Sequence, residues 1–104
     1  MDEDYLEAVL DLVAAIPDGR VMTYGSIAEE LRDRLGRGGP RQVGTVLSRA
    51  GSGVPWWRVV NASGLPPAFK RAEALAVLRS ERCPLAPDGS RVRLRDALWW
   101  PDGS

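Results

Sequence analysis

Apolar positions recur with a helical period in four segments of the chain. The first covers residues 5–15, and the turn residues 17–19 interrupt it. Residues 20–23 are predicted to be short extended chain, after which Thr23 or Ser26 can cap a second helix. The apolar positions of these two helices are Leu6, Val9, Leu10, Val13, Ala14, Ile27, Ala28, Leu31 and Leu35.

A glycine-rich turn at residues 36–39 separates the second helix from a third, for which Pro40 suits the first position. Helix, short glycine-containing turn and helix form the helix-turn-helix pattern. The third helix is predicted over residues 40–49 and a fourth over residues 69–80, where Cys83-Pro84 breaks it. Their candidate core positions are Val43, Val46, Leu47, Leu75, Ala76 and Leu78.

The last part of the chain is predicted to hold little regular structure. Asp88-Gly89 reads as a turn, and residues 91–94 alternate as a short strand would. The expected fold is mainly α: a helix-turn-helix or winged-helix-like core of three helices, with a short strand or hairpin and a further helix. At 104 residues, one domain covering residues 1–104 is expected.

Composition favours a soluble protein, since 44% of the residues are hydrophobic and 27% are charged. No apolar run approaches the ~18 residues of a membrane span. The acidic N-terminal residues are unlike a signal peptide. The expected location is the cytoplasm, on the nucleoid if the source is bacterial, with no membrane partner.

Two counts remove most catalytic options. The chain has no histidine, which excludes Ser-His and Cys-His nucleophile pairs and imidazole bases. It has one cysteine, Cys83, which excludes an internal disulfide and a multi-cysteine metal site. No catalytic residue, cofactor or metal is therefore expected, and a non-enzymatic role leads.

The zero net charge conceals a segregation of charge along the chain. Residues 1–30 hold eight acidic side chains and one basic one, whereas residues 31–104 hold thirteen basic and six acidic ones. Such asymmetry suggests a surface that receives a polyanion. Arginine, which suits phosphate contacts better than lysine, dominates the basic residues. A genomic GC bias explains the choice of arginine equally well, but not its clustering.

The outward side of the third helix is basic at its start and small beyond it. Arg41, Gly44, Thr45 and Ser48 share this side at helical spacing. Residues 32–49 hold five arginines, among them Arg37, against one aspartate. A solvated basic face without a partner is the simpler alternative to phosphate binding.

Four ordered motifs resemble the DNA-binding domain of the O6-alkylguanine-DNA alkyltransferases. They are Gly19-Arg20-Val21-Met22-Thr23-Tyr24-Gly25, Arg41-Gln42-Val43-Gly44, Pro55-x-x-Arg58-Val59-Val60 and Ser63-Gly64. The repair enzymes read Pro-Cys-His-Arg where this chain reads Pro55-Trp56-Trp57-Arg58, and their cysteine accepts the alkyl group. The chain is thus similar to the alkyltransferase-like proteins, in which tryptophan replaces that cysteine, and Trp99-Trp100-Pro101 is similar to their tail.

The resemblance implies binding of O6-alkylguanine in double-stranded DNA by nucleotide flipping, without alkyl transfer. The implied partners are the damaged duplex and nucleotide excision repair proteins, and a monomer is expected. By resemblance, Arg41 fills the gap left by the flipped nucleotide, and Tyr24 crowds the 3′ phosphate. The small side chains at residues 44, 45 and 48 let the helix press into the minor groove, with Arg37 as a further DNA contact.

By resemblance, Trp56 lines the pocket that receives the flipped base, and Leu47 forms one wall. The loop Leu65-Pro66-Pro67-Ala68-Phe69 is expected to form another wall. Relatives carry a basic residue just after this loop that senses the lesion. Direct counting puts Phe69 there, with Lys70 and Arg71 following it. Arg58 joins the pocket set, although a buried structural role is favoured over DNA contact.

Other interpretations remain open from the residues alone. Trp56 and Trp57 could be core aromatics, Tyr24 ordinary packing and Arg41 a plain phosphate contact. Among whole-protein alternatives, Cys83 could be the nucleophile of an active transferase, but it lies outside the Pro-x-x-Arg motif. A sequence-specific regulator would carry long polar side chains on its recognition helix. An interaction module that never touches DNA is the third alternative.

Overall fold

The computed structural model describes residues 3–101. Its elements are five helices and two short strands, and the predicted mainly helical fold is confirmed. In chain order they are α1 (Glu3–Ala15), β1 (Met22–Thr23), α2 (Tyr24–Leu35), α3 (Pro40–Ala50), β2 (Val59–Val60), α4 (Arg71–Ser80) and α5 (Leu94–Ala97), with 3₁₀ turns at Gly51–Gly53, Trp56–Arg58 and Ala68–Lys70.

The first three helices pack around one buried cluster, which also receives Met22 and Val59 from the strands. The inward side of α2 is the predicted one, with Leu35 only half-buried. The predicted side of α1 is partly wrong: Ala14 is exposed, and Leu6 and Leu10 are half-buried. Val9 and Val13 are buried as predicted, and Tyr5, Leu12 and Ile16 complete the buried side of this region.

Local signals set the start of the helix-turn-helix and both sides of its turn. Thr23 is the N-cap of α2, and Ser26 is its partner in a reciprocal capping box, each side-chain oxygen accepting the other's backbone N–H at 2.9 Å. Gly36 ends α2 in the left-handed conformation (φ 74°), which costs glycine little. Pro40 opens α3, as predicted. These signals fix where Tyr24 and the outer side of α3 stand.

The strands form a pair rather than a hairpin. β1 and β2 run parallel, with Met22 opposite Val59 and Thr23 opposite Val60. The helix-turn-helix lies between them in sequence, so this pair ties the segment before α2 to the segment that follows Trp56–Arg58. The extended chain predicted before α2 is confirmed, although its parallel partner was not predicted.

A reduced hairpin occurs further along the chain. Leu85 and Val92 form a single antiparallel bridge, flanked by hydrogen bonds from Ala86 N–H to the Arg91 carbonyl and from Arg93 N–H to the Pro84 carbonyl, both 2.9 Å. The strand predicted over residues 91–94 is therefore wrong beyond this bridge. Leu94 already begins α5, because the bond from Leu98 N–H to its carbonyl closes a helical turn.

The fourth predicted helix begins later than expected and ends before Cys83-Pro84. α4 starts at Arg71, because residue 70 takes a non-helical conformation (φ −131°) that separates Ala68–Lys70 as its own turn. It ends at Ser80, and Arg82 then adopts a positive φ of 64°. Of its predicted core positions, Leu78 is buried, Leu75 half-buried and Ala76 exposed. None of the helices within residues 3–101 has the length and apolar character needed to cross a membrane.

Candidate nucleic-acid interface

A cavity of about 200 Å³ opens between the start of α2, one side of α3 and the loop that precedes α4. It is smaller than the ~300–1,000 Å³ of pockets that hold drug-sized ligands, and its size suits a single flat group. Most of the predicted pocket residues and two from the small-residue side of α3 line it. These are Tyr24, Gly44, Leu47, Ser48, Trp56, Phe69 and Lys70.

Trp56 is half-buried on one wall of the cavity. The 3₁₀ turn Trp56–Arg58 holds its backbone, and its N–H donates to the Val54 carbonyl at 2.7 Å. The Trp57 ring meets it edge to face, with the centroids 5.8 Å apart. Lys70 places its ammonium 5.0 Å from the centre of the Trp56 ring. The cavity therefore offers an aromatic face with a cation beside it.

Lys70 is thus the basic residue that reaches the cavity. Phe69 also lines it, but with 79% of the residue exposed. Arg71 turns away, and its Nε donates to the Pro66 carbonyl at 3.1 Å. Lys70 and Arg71 therefore point in different directions. Between them the 3₁₀ turn Ala68–Lys70 ends and α4 begins, so the backbone changes conformation there.

The loop wall is held by its own backbone contacts. The Asn61 carboxamide oxygen accepts the N–H groups of Ser63 at 2.8 Å and Leu65 at 3.1 Å. Gly64 has φ 82°, and a Cβ there would come within 2.3 Å of the Val92 carbonyl oxygen. The Val92 N–H donates to the Gly64 carbonyl at 2.9 Å. Leu65 is not among the cavity-lining residues, whereas Pro67 is.

Arg58 also lies outside the cavity lining, behind the tryptophans. Its side chain is 11% exposed and donates to both Glu81 carboxylate oxygens, at 3.0 Å and 2.6 Å. Further bonds run to the Ile16 carbonyl at 2.8 Å and the Asp18 carboxylate at 2.6 Å. The structural role favoured for this arginine agrees with these contacts.

Trp57 has a partner that sequence inspection missed. Its indole N–H donates to Glu81 Oε2 at 3.0 Å, and the Arg58 guanidinium lies 5.5 Å from its ring centre. Glu81 follows α4 and is far from Trp57 in sequence, so no local sequence pattern predicts the contact. The backbone N–H of Gly19 also donates to Glu81, at 3.3 Å. Glu81, Arg58, Trp57, Asp18 and Gly19 together form the Glu81 cluster.

The Glu81 cluster keeps its ion pair charged. Burial raises the pKa of Glu81, but hydrogen bonds from Arg58, Trp57 and the Gly19 backbone outweigh it, and the pKa is lowered overall. The hydrogen bond to Glu81 raises the pKa of Arg58, against the opposing effect of burial. Both charges are thus stabilised, and they fix the turn that carries Trp56.

Tyr24 is the first residue of α2 and borders the cavity. Burial raises the pKa of its hydroxyl, so it remains a neutral hydrogen-bond donor. The neighbouring capping box sets its backbone position. Tyr24 is therefore placed both beside the cavity and at the first turn of the helix-turn-helix.

The outer side of α3 is open. Arg41 is exposed, and a Cβ on Gly44 would meet nothing within 4 Å. The hydroxyls of Thr45 and Ser48 donate back to the carbonyls of Arg41 and Thr45, each at 3.0 Å. These back-bonds leave a small surface on which another molecule can approach the helix backbone. Arg37 is exposed in the preceding turn.

Two residues of the cavity were not predicted. Gly51 and Ser52, in the turn after α3, complete its lining. A Cβ at Gly51 would lie 3.4 Å from the Leu47 side chain, an ordinary van der Waals contact, so glycine leaves this corner only slightly wider than alanine would. In the sequence, Gly51-Ser52-Gly53 reads only as a generic turn, and nothing distinguishes it from a linker.

The thiol of the chain is not among the groups that line the cavity. Cys83 is buried in a second apolar cluster with Val21, Val60, Leu78 and Val92. Burial raises the pKa of the Cys83 thiol to about 11, and the Glu81 charge adds to this. Little thiolate forms near neutral pH under these conditions. Within residues 3–101, no group of three potential ligands converges as a metal site.

The sequence matches one protein family over most of its length. Residues 4–83 match the family described as 6-O-methylguanine DNA methyltransferase, DNA binding domain. The chain is 44% identical over 68 residues to the DNA base-flipping protein of Escherichia coli (strain K12), and equally to that of Shigella flexneri. These matches cover 61% of this chain and 48% of each relative, so the chain spans about half the length of the curated relatives.

Two solved structures share the fold. The crystal structure of S. pombe ATL in complex with DNA superposes with a TM-score of 0.74 at 28% identity. That of S. pombe Atl1 in complex with damaged DNA containing O6-carboxymethylguanine gives 0.77 at 25% identity. Each comparison covers 97% of this chain and 99% of the other. The resemblance therefore extends beyond the helix-turn-helix to nearly the whole chain.

Proposed function

Because the chain belongs to the 6-O-methylguanine DNA methyltransferase DNA-binding-domain family, we propose that it binds O6-alkylguanine in duplex DNA and flips the damaged nucleotide without removing the alkyl group. The observation that carries this proposal is the cavity beside the small-residue side of α3, with Trp56 in its wall. Its relatives named DNA base-flipping proteins and the similar structures bound to DNA support it.

In this proposal α3 enters the minor groove through Gly44, Thr45 and Ser48. Arg41, exposed at the start of α3, occupies the gap in the base stack, and Arg37 contacts a phosphate. A nucleotide must leave the stack before a protein can inspect it, at a cost of a few kcal/mol. The cost is smallest for a badly paired base, so the preference for alkylated guanine begins with the DNA itself.

The flipped base is proposed to enter the cavity between Trp56 and the loop wall. Tyr24 crowds the adjacent phosphate, Leu47 supplies apolar contact, and Lys70 supplies the charge at the cavity mouth. Phe69 extends the apolar wall. Arg71 and Leu65 are assigned to holding the loop, and Arg58 to holding the turn of Trp56, rather than to touching the base.

We propose that the protein does not transfer the alkyl group to itself. Residue 56 carries an indole in place of a nucleophile, and the one cysteine of the chain is the buried Cys83. The lesion therefore stays on the DNA, so another system must remove it. We propose that a monomer of this chain, acting as one domain over residues 1–104, marks the site for nucleotide excision repair.

The deciding experiment compares one duplex with and without a single O6-methylguanine, at about 150 mM salt. We expect at least about tenfold tighter binding to the modified duplex, or ~1.4 kcal/mol, with the methyl group still on the recovered guanine. The Cys83→Ala variant serves as the matched control and should behave like the wild type. Equal affinity for the two duplexes would favour a regulator or a general DNA-binding domain, and loss of the methyl group would show a transferase.

A further inference from the structure

A second basic surface lies away from the proposed lesion cavity. A groove runs between the loop residues Ala62 and Ser63 and the segment from Arg91 to Asp96. We propose that this groove binds backbone phosphates of the same duplex, a few base pairs from the flipped nucleotide. The proposal rests on the proposed function, because it takes its ligand from the DNA bound at α3.

The groove carries an excess of positive charge. Arg91, Arg93 and Arg95 line it and are exposed, against one lining acid, Asp96. Asp96 pairs with Arg93 at 3.3 Å. Asp88, near Arg91, already accepts both the hydroxyl and the backbone N–H of Ser90, at 2.6 Å and 3.0 Å. Asp88 and Asp96 thus offset part of the charge of Arg91 and Arg93, but the groove keeps a net positive charge, and guanidinium suits phosphate.

The backbone holds these arginines in place. The hairpin bond from Ala86 N–H to the Arg91 carbonyl and the bond from Arg93 N–H to the Pro84 carbonyl fix residues 91–93 on either side of Val92. Arg95 follows in α5. A fixed backbone avoids the entropy cost of ordering a loop when the groove binds its ligand.

The same segment is attached to the wall of the lesion cavity. Val92, between two of the arginines, donates its N–H to the Gly64 carbonyl, and Gly64 lies in the loop that ends at the lining residue Pro67. Ser63 borders the groove, and Pro67 is four residues further on, so at most about 14 Å separates their Cα atoms. That distance is about four base pairs of DNA, at ~3.4 Å per phosphate along one strand.

An acidic protein segment would also suit guanidinium groups. The structure favours DNA because the groove adjoins, through one loop, the surface proposed to hold the duplex. No feature of the described residues links it in the same way to a protein partner. The experiment below separates the two.

The test compares two variants that each remove two positive charges. Arg91→Gln/Arg95→Gln removes them from the groove and leaves the Arg93–Asp96 pair intact. Arg79→Gln/Arg82→Gln removes them from exposed arginines on α4 and just after it, outside the groove lining. Affinity for the O6-methylguanine duplex is measured between about 50 and 200 mM salt, and the slope of log affinity against log salt is compared.

We expect the groove variant to lower that slope by about 1–2, since each lost phosphate contact removes ~0.9. The control should keep the wild-type slope, and both variants should keep the wild-type melting temperature and lesion preference.

Equal slopes for the groove variant and the wild type would overturn the proposal and leave the groove to an acidic protein. Equal losses in both variants would also overturn it, as a general effect of charge. Failure of the proposed function would look different: the wild type itself would show no preference for the damaged duplex, whatever the groove does.

Discussion

Trp56 and Arg41 have different proposed roles in nucleotide flipping: Trp56 contacts the flipped base, and Arg41 fills the gap that the base leaves in the stack. Trp56 borders the cavity that would receive the base, and Arg41 projects from the exposed start of α3. A stacked aromatic ring contributes only when a base reaches it, whereas a residue that fills the vacated stack contributes whenever any nucleotide leaves. The two side chains should therefore affect binding in different ways.

Arg41→Ala is expected to weaken binding to damaged and undamaged duplexes alike, and Trp56→Ala to reduce mainly the ratio between them. A stack between a base and an aromatic ring contributes about 1–3 kcal/mol, so Trp56→Ala should lower that ratio about 5- to 150-fold. Fluorescence anisotropy with both duplexes measures this. If both variants lost the same factor on both duplexes, the proposed division between the two residues would be wrong.

Gly44 lowers the stability of α3 but leaves room for DNA to approach the helix backbone. It lies inside α3, where glycine costs about 0.5–1 kcal/mol relative to alanine, and a Cβ there meets nothing within 4 Å. Gly44→Ala should therefore raise the free energy of unfolding by that amount. It should also weaken DNA binding, because the added methyl keeps the helix backbone from the groove floor.

Urea denaturation of the Gly44→Ala protein should show the higher free energy of unfolding. Binding of the same preparation to the duplex should show the lower affinity. Gly64→Ala is the contrasting control, because φ 82° and the Val92 carbonyl leave no room for a side chain, and it should destabilise the fold. A Gly44→Ala protein that is more stable and binds DNA as tightly as the wild type would exclude close approach at this point.

At the scale of elements, the capping box makes α2 begin at Tyr24 and so positions the cavity edge. Thr23→Ala should lower the free energy of unfolding by about 1 kcal/mol, because the Ser26 N–H loses its acceptor. Thr45→Ala is the matched control: its hydroxyl only bonds back within α3 and is not a cap, so a change within about 0.5 kcal/mol is expected. Chemical denaturation checks both, and equal losses would mean that the cap contributes nothing specific.

Elements with local signals could be predicted, and those that depend on distant partners could not. The boundary signals at Thr23, Gly36 and Pro40 are written in a few adjacent residues. α2 begins and ends where such a signal stands, and so does the start of α3. The parallel pairing of β1 with β2 joins segments on either side of the helix-turn-helix, so no local pattern contains it. The inward side of α1 was misjudged because Leu10 and Leu12 are equally apolar, and only packing decides between them.

The same distinction applies to the candidate site. Trp56 and Tyr24 could be assigned because ordered motifs carry them, and Leu47 because its place on the third helix matches a pocket-wall position of the family. All three line the cavity. The choice among Phe69, Lys70 and Arg71 could not be made from the sequence, since it depends on a backbone break at residue 70. Their roles in DNA binding remain predictions for the experiments above.

For the whole molecule, the Glu81 cluster joins three distant parts: the turn after α1, the turn that carries Trp56 and the end of α4. Glu81→Gln should lower the free energy of unfolding by about 3 kcal/mol. This is the low end of the ~3–5 kcal/mol for breaking a buried pair, because the Asp18 carboxylate and the Ile16 carbonyl still accept from Arg58.

The lowered pKa of Glu81 also sets a pH dependence. A carboxyl group whose pKa falls on folding adds stability above its unfolded pKa, near 4.5, and that stability is lost as the pH falls through the lower folded value. Wild-type stability should thus decline as the pH drops below about 4.5, and Glu81→Gln should decline less. Denaturation curves from pH 3 to 7 test this, and parallel profiles for the two proteins would contradict it.

The position of Trp56 has a consequence for observing the protein at work. Of the four tryptophans in the chain, it is the one whose ring lines the cavity, with the Lys70 ammonium 5.0 Å from its centre. A guanine that stacks there displaces water from the indole and quenches its emission. Base entry is then expected to register as a change in intrinsic fluorescence, absent in Trp56→Phe. Trp56 would then serve as an intrinsic fluorescence probe. Stopped-flow mixing could measure the rate at which the nucleotide enters the cavity, without any label on the DNA.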